Sequence, residues 1–302
     1  MTDLVGDLEE HVRQHVLGAM PDAERAGLAS LRLNDLLIEY RTWRGRFIPP
    51  QPRSVHWSDE LRSSPGAETY REALDVLERK VEEGEDLTPH LSGLVHRPFD
   101  NVAAPALEHR TDRDALLADW GIHHLHLSSR LKKGVAARGD DVLLAIFTER
   151  DAFFVGIRPH PKHANWAAEE IFAIVVANWP EDGLVHELRG VVGLSQQYSD
   201  DDRRALRNAG INMMMEIDGK VFAPGPLGQT IAGTPLGVTR AVQALMWELG
   251  AWRKDFDGCL AQVPDALPDA KWRPGIHAPR PGFEEYCGFI SGTTFLVLGR
   301  IC

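Results

Sequence analysis

The sequence predicts an α+β fold with a helical N-terminal portion, a central small antiparallel sheet with flanking helices, and a C-terminal α+β unit. Three observations carry this. Apolar residues recur at helical spacing through the first part of the chain; short runs of strand type replace them after Gly121; and Glu149-Arg-Asp151 and Asp218-Gly219 supply tight polar turns between such runs. With 302 residues, more than one core is expected, because single domains usually hold about 100–200 residues. The pattern divides the chain into a mostly helical region over 1–110, a histidine-rich α+β domain over 111–183 and a C-terminal α+β domain over 184–302.

Taken in order, Leu4, Leu8 and His11, then Leu28, Leu31, Leu33, Leu36 and Leu37, predict two or three helices. The prolines of Phe47-Ile-Pro-Pro-Gln-Pro-Arg53 break that run, since proline lacks a donor and pushes its predecessor out of helical torsions. A helix over about 68–83 has Tyr70, Ala73, Leu74, Leu77 and Val81 on one side and stops near Gly84. An irregular connector follows from Leu87 to Thr111, where Thr111-Asp-Arg-Asp114 has the form of a capping box for a short helix to about Trp120. Strands are expected over 122–128, 142–148 and 152–158, the last two as a hairpin, then a helix over 166–178. Beyond these come a strand near 184–194, a helix capped by Ser199 and ended at Gly210, and a hairpin turning at Asp218-Gly219. Met213-Met-Met215 reads as core strand. Thr234-Pro235 opens a long helix to about Lys254, 264–281 reads as a proline-rich loop, and 286–301 as a buried terminal strand or hairpin.

The net charge of −11 disfavours wholesale coating of nucleic acid, which lysines and arginines drive by releasing counterions. Arg41, Arg44, Arg46 and Arg53, interleaved with Trp43, Phe47 and nearby Trp57, suit either phosphate contact with base stacking or packing on the protein's own acidic surface. Cys259, Cys287 and Cys302 form no C-x-x-C pair, which argues against a disulfide framework or zinc ribbon. The acidic opening residues and the lack of a long apolar run predict a cytoplasmic protein with no leader and no membrane partner.

The chemical signal is histidine. His123, His124 and His126 in Trp120-Gly-Ile-His-His-Leu-His-Leu-Ser128, with His160 and His163 in Arg158-Pro-His-Pro-Lys-His163, are five of the thirteen histidines in the chain. Alternation on a strand sets His124 and His126 on one face, read as the accessible one because Leu125 and Leu127 mark the other as core. Pairing of the hairpin near that strand would bring His160, His163, Lys162 and Arg158 to the same pocket, and Arg130, Lys132, Lys133 and Arg138 add charge from the intervening loop. An anionic substrate, RNA above all, suits this basic segment, and imidazole titrates near neutrality.

This order of short helix, strand, lysine-bearing loop, hairpin, basic His/Lys segment and helix resembles the RelE/HigB-like ribonuclease toxin fold over about 60 residues. The resemblance implies metal-independent attack by a ribose 2′-hydroxyl and a toxin or phage-defence role. Lys162 and His163 would then be base or phosphate-stabilising groups and His124 and His126 would face the scissile phosphate; His160 joins them as a candidate catalytic residue, and Arg130, Lys132, Lys133 and Arg158 are the candidate substrate-binding residues. Trp120 to Leu127 also looks like a stretch shared by bacterial proteins of no assigned function. His126-Leu-Ser128 is similar to one half of the paired H-x-[S/T] signature of 2H phosphoesterases, with His56-Trp-Ser58 or His90-Leu-Ser92 as candidate second halves.

Two alternatives stay open. No cofactor is favoured, but His124, His126 and His160 or His163 could hold zinc or another divalent ion for a metal-dependent hydrolase, with Glu169, Glu170 or Glu187 as base. The chain could instead be a non-enzymatic nucleic-acid or protein-binding module, its N-terminal helices recruiting a protein partner.

Overall fold

The computed structural model describes residues 3–20, 27–96, 114–132, 134–160, 166–263, 271–280 and 283–302. The fold is α+β with a helical N-terminal part. The chain divides into two compact units, one of Met1–Gly45 with Gly237–Cys302 and the other of Arg46–Leu236. The boundaries expected at 110 and 183 do not coincide with this division: strand Ser54–Trp57 pairs with Asp151–Pro159 across the first, and Leu184, Val185, Met215 and Phe222 share a hydrophobic core with Leu144 and Phe172 across the second.

In the Arg46–Leu236 unit, strands β1 (Ser54–Trp57), β2 (Ile122–His126), β3 (Leu131–Lys132), β4 (Val135–Ala136), β5 (Asp141–Phe147) and β6 (Asp151–Pro159) succeed one another. The main sheet runs β1-β6-β5-β2, while β3 and β4 pair with each other. The expected hairpin is β5–β6, antiparallel through Thr148 to Arg150. The stretch around His56, where no strand is expected from the sequence, is a strand parallel to β6, with Ser54 opposite Asp151 and Trp57 opposite Phe154. A parallel partner about a hundred residues away leaves no local turn to announce it.

Paired residues share a face, so Ile122, His124 and His126 lie on the side of Ile146, Leu144 and Val142. That side is covered by Ile171, Phe172, Ile174 and Val175 of helix Glu169–Asn178, which starts three residues later than expected at 166. The opposite side packs Leu125, Leu143, Ala145 and Phe154 against Leu74, Leu77 and Val81 of helix Arg71–Glu83. With both faces covered, the accessible face expected for His124 and His126 does not exist: they are 6% and 2% exposed. Gly84 ends helix Arg71–Glu83 with φ of 71°. A Cβ there would meet Pro52 N at 2.5 Å.

Strand β2 follows helix Ala115–Trp120, whose N-cap is Asp114, its side chain accepting from Leu117 N. Thr111 and Arg113 of the expected capping box lie outside the described residues. The connector before it forms short 3-10 turns at Thr88–His90 and Gly93–His96. A second sheet orders β7 (Val185–Glu187), β9 (Lys220–Pro224) and β8 (Met215–Ile217) as β7-β9-β8. Its β8–β9 hairpin turns at Asp218 and Gly219, both with positive φ, as a two-residue turn of this hand requires. The strand expected over 184–194 shortens to β7, and of the methionine triplet only Met215 is buried; Met214 is exposed. Helix Asp200–Asn208 carries the full capping box of Ser199 and Asp202. On its buried side Arg207 Nε donates to Asp119 Oδ2 at 2.7 Å, and the guanidinium lies 4.0 Å from the Trp120 ring.

The other unit builds on helices Leu4–Gly18, Leu33–Arg44, Leu236–Lys254 from Gly237 onward, and Phe256–Leu260. Val5, Leu8, Val12 and Val16 form the buried stripe of the first helix. The sheet is a meander of β10 (Arg273–Arg280), β11 (Glu284–Ser291) and β12 (Thr294–Arg300), antiparallel in that order. Its first strand corrects the proline-rich loop expected over 264–281. Pro274 and Pro279 are accommodated because β10 is an edge strand of its sheet, paired on one side by β11. Tyr40, fully buried, donates to Glu285 Oε2 at 3.0 Å, and burial pushes its hydroxyl pKa up.

Three of the four arginines of the run pack on the protein itself, and two of them are buried. Arg44 lies 4.5 Å over the Phe283 ring within its own unit. In the other unit Arg46 and Arg53 are 4% and 6% exposed, and Arg53 donates to the carbonyls of Thr148, Pro49 and Gln51. No helix among the described residues is long and apolar enough to cross a membrane.

Candidate functional site

Three of the predicted histidines converge. His124 and His126 stand two residues apart on β2, and His160 follows the end of β6, where its N–H extends the ladder to Asp140 O at 2.6 Å. Strand β5 lies between β2 and β6, so the meeting is across the sheet face and not through direct pairing of those strands. The His126 and His160 rings stack at 5.7 Å and 16°; His124 stands edge-on to both, 6.4 Å from each. Trp166, half-buried, packs 4.8 Å from the His124 ring and 6.2 Å from that of His160. It is tied at both ends, since its Nε1 donates to Pro159 O at 3.0 Å and its carbonyl accepts from Arg207 Nη1 at 2.8 Å.

Burial sets the charge of the cluster. Removal from water disfavours imidazolium, so the pKa of His126 falls to about 4, with His124, His160, Arg138 and His90 pushing the same way. His124 is lowered by burial too, against an opposing pull from Asp114. These two rings are therefore neutral at pH 7, able to accept a proton or ligate a metal but not to act as preformed acids. His124 Nδ1 and His126 Nδ1 are buried and close no hydrogen bond. Asp114 Oδ2 lies 3.5 Å from His124 Nδ1.

Beside the cluster, where β2 forms the edge of the main sheet, a small cavity is lined by His123, His124, Asp114, Arg46, Ser92 and the apolar Leu91, Val95 and Leu117. His123, expected in the core with the leucines, is half-buried there, edge-on to Phe147 at 5.7 Å.

The remaining predicted residues divide. Arg158 reaches Glu170 Oε1 at 2.8 Å. Arg130 is exposed in the turn after β2, and Lys132 falls in β3. Lys133, Lys162 and His163 lie outside the described residues. The carboxylates considered as bases are engaged elsewhere, Glu169 with Arg203 at 2.8 Å, Glu170 with Arg158 and Glu187 with Lys220 at 3.1 Å. Among the described residues no three His, Cys, Asp or Glu side chains stand close enough to hold a metal ion.

Sequence reasoning missed Asp114, legible only as a helix cap, Trp166, legible only as a helix start, and His90 as a support. His90 is fully buried and its Nδ1 lies 3.1 Å from His126 O, so it is engaged in bracing β2 rather than standing as the second half of a paired H-x-S signature. His56, the other candidate half, pairs with Asp151 at 2.8 Å on β1. No family model, curated protein or solved structure matches this chain.

Proposed function

We propose that the chain is a phosphodiester-cleaving enzyme acting on RNA without a metal cofactor, with a histidine of the cluster as general base. The observation that carries this is the convergence of the His124, His126 and His160 rings within 6.4 Å of one another, with burial keeping the first two neutral. A neutral imidazole takes the proton of a ribose 2′-hydroxyl, whose oxygen attacks the adjacent phosphorus and expels the 5′-oxygen. Arg138, whose charge is felt at His126, supplies a cation beside the rings for the developing phosphorane charge. Trp166 offers an aromatic plane of the kind on which an unpaired base stacks. The RelE/HigB-like resemblance adds the expectation of growth restriction, as a toxin or in phage defence. The three free cysteines suit a reducing compartment such as the cytoplasm.

The test is cleavage of single-stranded and structured RNA by purified protein in EDTA, with His124→Ala and His126→Ala beside wild type. Cleavage that survives EDTA and falls at least about 100-fold in the variants supports the reading. Wild type inert toward all RNA sinks it. A second reading, metal-dependent hydrolysis, draws on the two buried Nδ1 atoms that close no hydrogen bond, since neutral imidazole is the ligating form. Activity restored only by zinc or manganese would favour it.

A further inference from the structure

We propose that Asp114 is the positioning residue of His124, holding the ring as its Nδ1–H tautomer and so leaving Nε2 as the proton acceptor; this rests on the phosphodiesterase reading and names which histidine is its base. Asp114 is held by its local structure. Its Oδ1 accepts from Leu117 N at 3.1 Å as the N-cap of helix Ala115–Trp120, which fixes the carboxylate in direction. The second oxygen, Oδ2, is thereby turned to His124 Nδ1 at 3.5 Å. Both side chains are shielded, at 17% and 7% exposure, so their attraction is weakly screened.

His123, on the same strand, also feels the Asp114 charge, with its ring edge-on to Phe147; His126 and His90 differ from His124 in this respect. His126 Nδ1 is buried with no hydrogen bond, and its ring stacks on that of His160. His90, which packs against β2, spends its Nδ1 on the His126 carbonyl. Of His90, His124 and His126, it is His124 whose Nδ1 faces a carboxylate. A carboxylate on one ring nitrogen fixes the proton there and steadies the charge that forms when the other nitrogen takes a proton. The separation, longer than a closed hydrogen bond, is of the kind that shortens when a substrate draws a proton onto the ring.

The geometry also supplies a clean variant. Asparagine caps a helix about as well as aspartate, so Asp114→Asn keeps the bond to Leu117 N while removing the charge that orients His124. Imidazole ¹⁵N NMR at neutral pH reads the tautomer directly, with the His124 signals assigned by their loss in His124→Gln. Wild type is expected to show Nδ1–H, and Asp114→Asn to shift toward Nε2–H or a mixture. An Nε2–H tautomer in wild type, or a tautomer unchanged in the variant, overturns the proposal without reference to any substrate. In RNA cleavage, kcat of Asp114→Asn should fall about 100-fold or more with KM unchanged. A loss of kcat that merely tracks a loss of folded protein, read by circular dichroism, overturns the positioning role. If wild type has the expected tautomer but cleaves no RNA, the Asp114 assignment stands and the ribonuclease reading falls.

Discussion

Replacing Arg207 by methionine tests how the buried ion pair behind the site is balanced. Arg207 and Asp119 are each 7% exposed and 2.7 Å apart, and Asp119 Oδ1 has no hydrogen-bond partner. Burial raises the Asp119 pKa and lowers that of Arg207, in each case as the largest influence, with their mutual attraction opposing it. Desolvation thus works against the attraction, and a buried pair of this kind adds little over an apolar pair of the same shape. Removing one partner is another matter. In Arg207→Met the Asp119 carboxylate must either stay charged in the core or take a proton, and at pH 7 protonating a group of ordinary pKa 3.8 costs about 4 kcal/mol. That figure is a ceiling on the charge contribution, because the unfolded chain remains ionised while the folded one escapes by protonation; the lost bond to Trp166 O and contact with Trp120 add a part that does not vary with pH. The charge contribution should shrink by about 1.4 kcal/mol for each pH unit of acidification, to less than half at pH 5. Urea denaturation followed by circular dichroism at both pH values measures the deficit, since each comparison is between variant and wild type under one condition. Asp119→Leu combined with Arg207→Met should recover most of the loss, as no charge is left buried. A deficit below about 1 kcal/mol at pH 7, or one that does not change with pH, would refute the reasoning.

The remaining tests address the histidine cluster and the opposite face of the main sheet. Because the His126 pKa drops from 6.5 to about 4 on folding, the unfolded state binds the extra proton between those values. Stability is therefore full above pH 6.5 and declines as pH falls toward 4, by about 3 kcal/mol from this group, and His126→Gln should show a shallower decline in urea midpoint over that window. Gly84→Ala should lower stability by at least about 1 kcal/mol in thermal melts, because the residue has φ of 71° and its new Cβ would collide with the Pro52 backbone nitrogen. Phe154→Ala, at a fully buried position between β6 and helix Arg71–Glu83, should cost about 3–5 kcal/mol by urea denaturation, and a smaller loss would mean that the core refills.

What was legible in the sequence is what short stretches of chain settle by their own torsions and hydrogen bonds. The Ser199 cap, the Gly84 stop, the turn between β5 and β6 and the Asp218-Gly219 hairpin stand where residue chemistry put them. The histidine concentration was equally legible, and with it the region of the candidate site. Which face of β2 the histidines occupy was not, because alternation tells two faces apart but cannot tell a wet face from one covered by a distant helix, here Glu169–Asn178. The partnership of β1 with β6, the edge position that lets prolines enter β10, and the joining of Met1–Gly45 to Gly237–Cys302 depend on pairing between remote segments. So does the approach of Asp114 to His124, since a cap residue reads as a cap until folding turns its second oxygen toward a ring. Local signals carry energies that act within a few residues, whereas these choices are made by burial of surfaces that meet only once the chain has closed on itself.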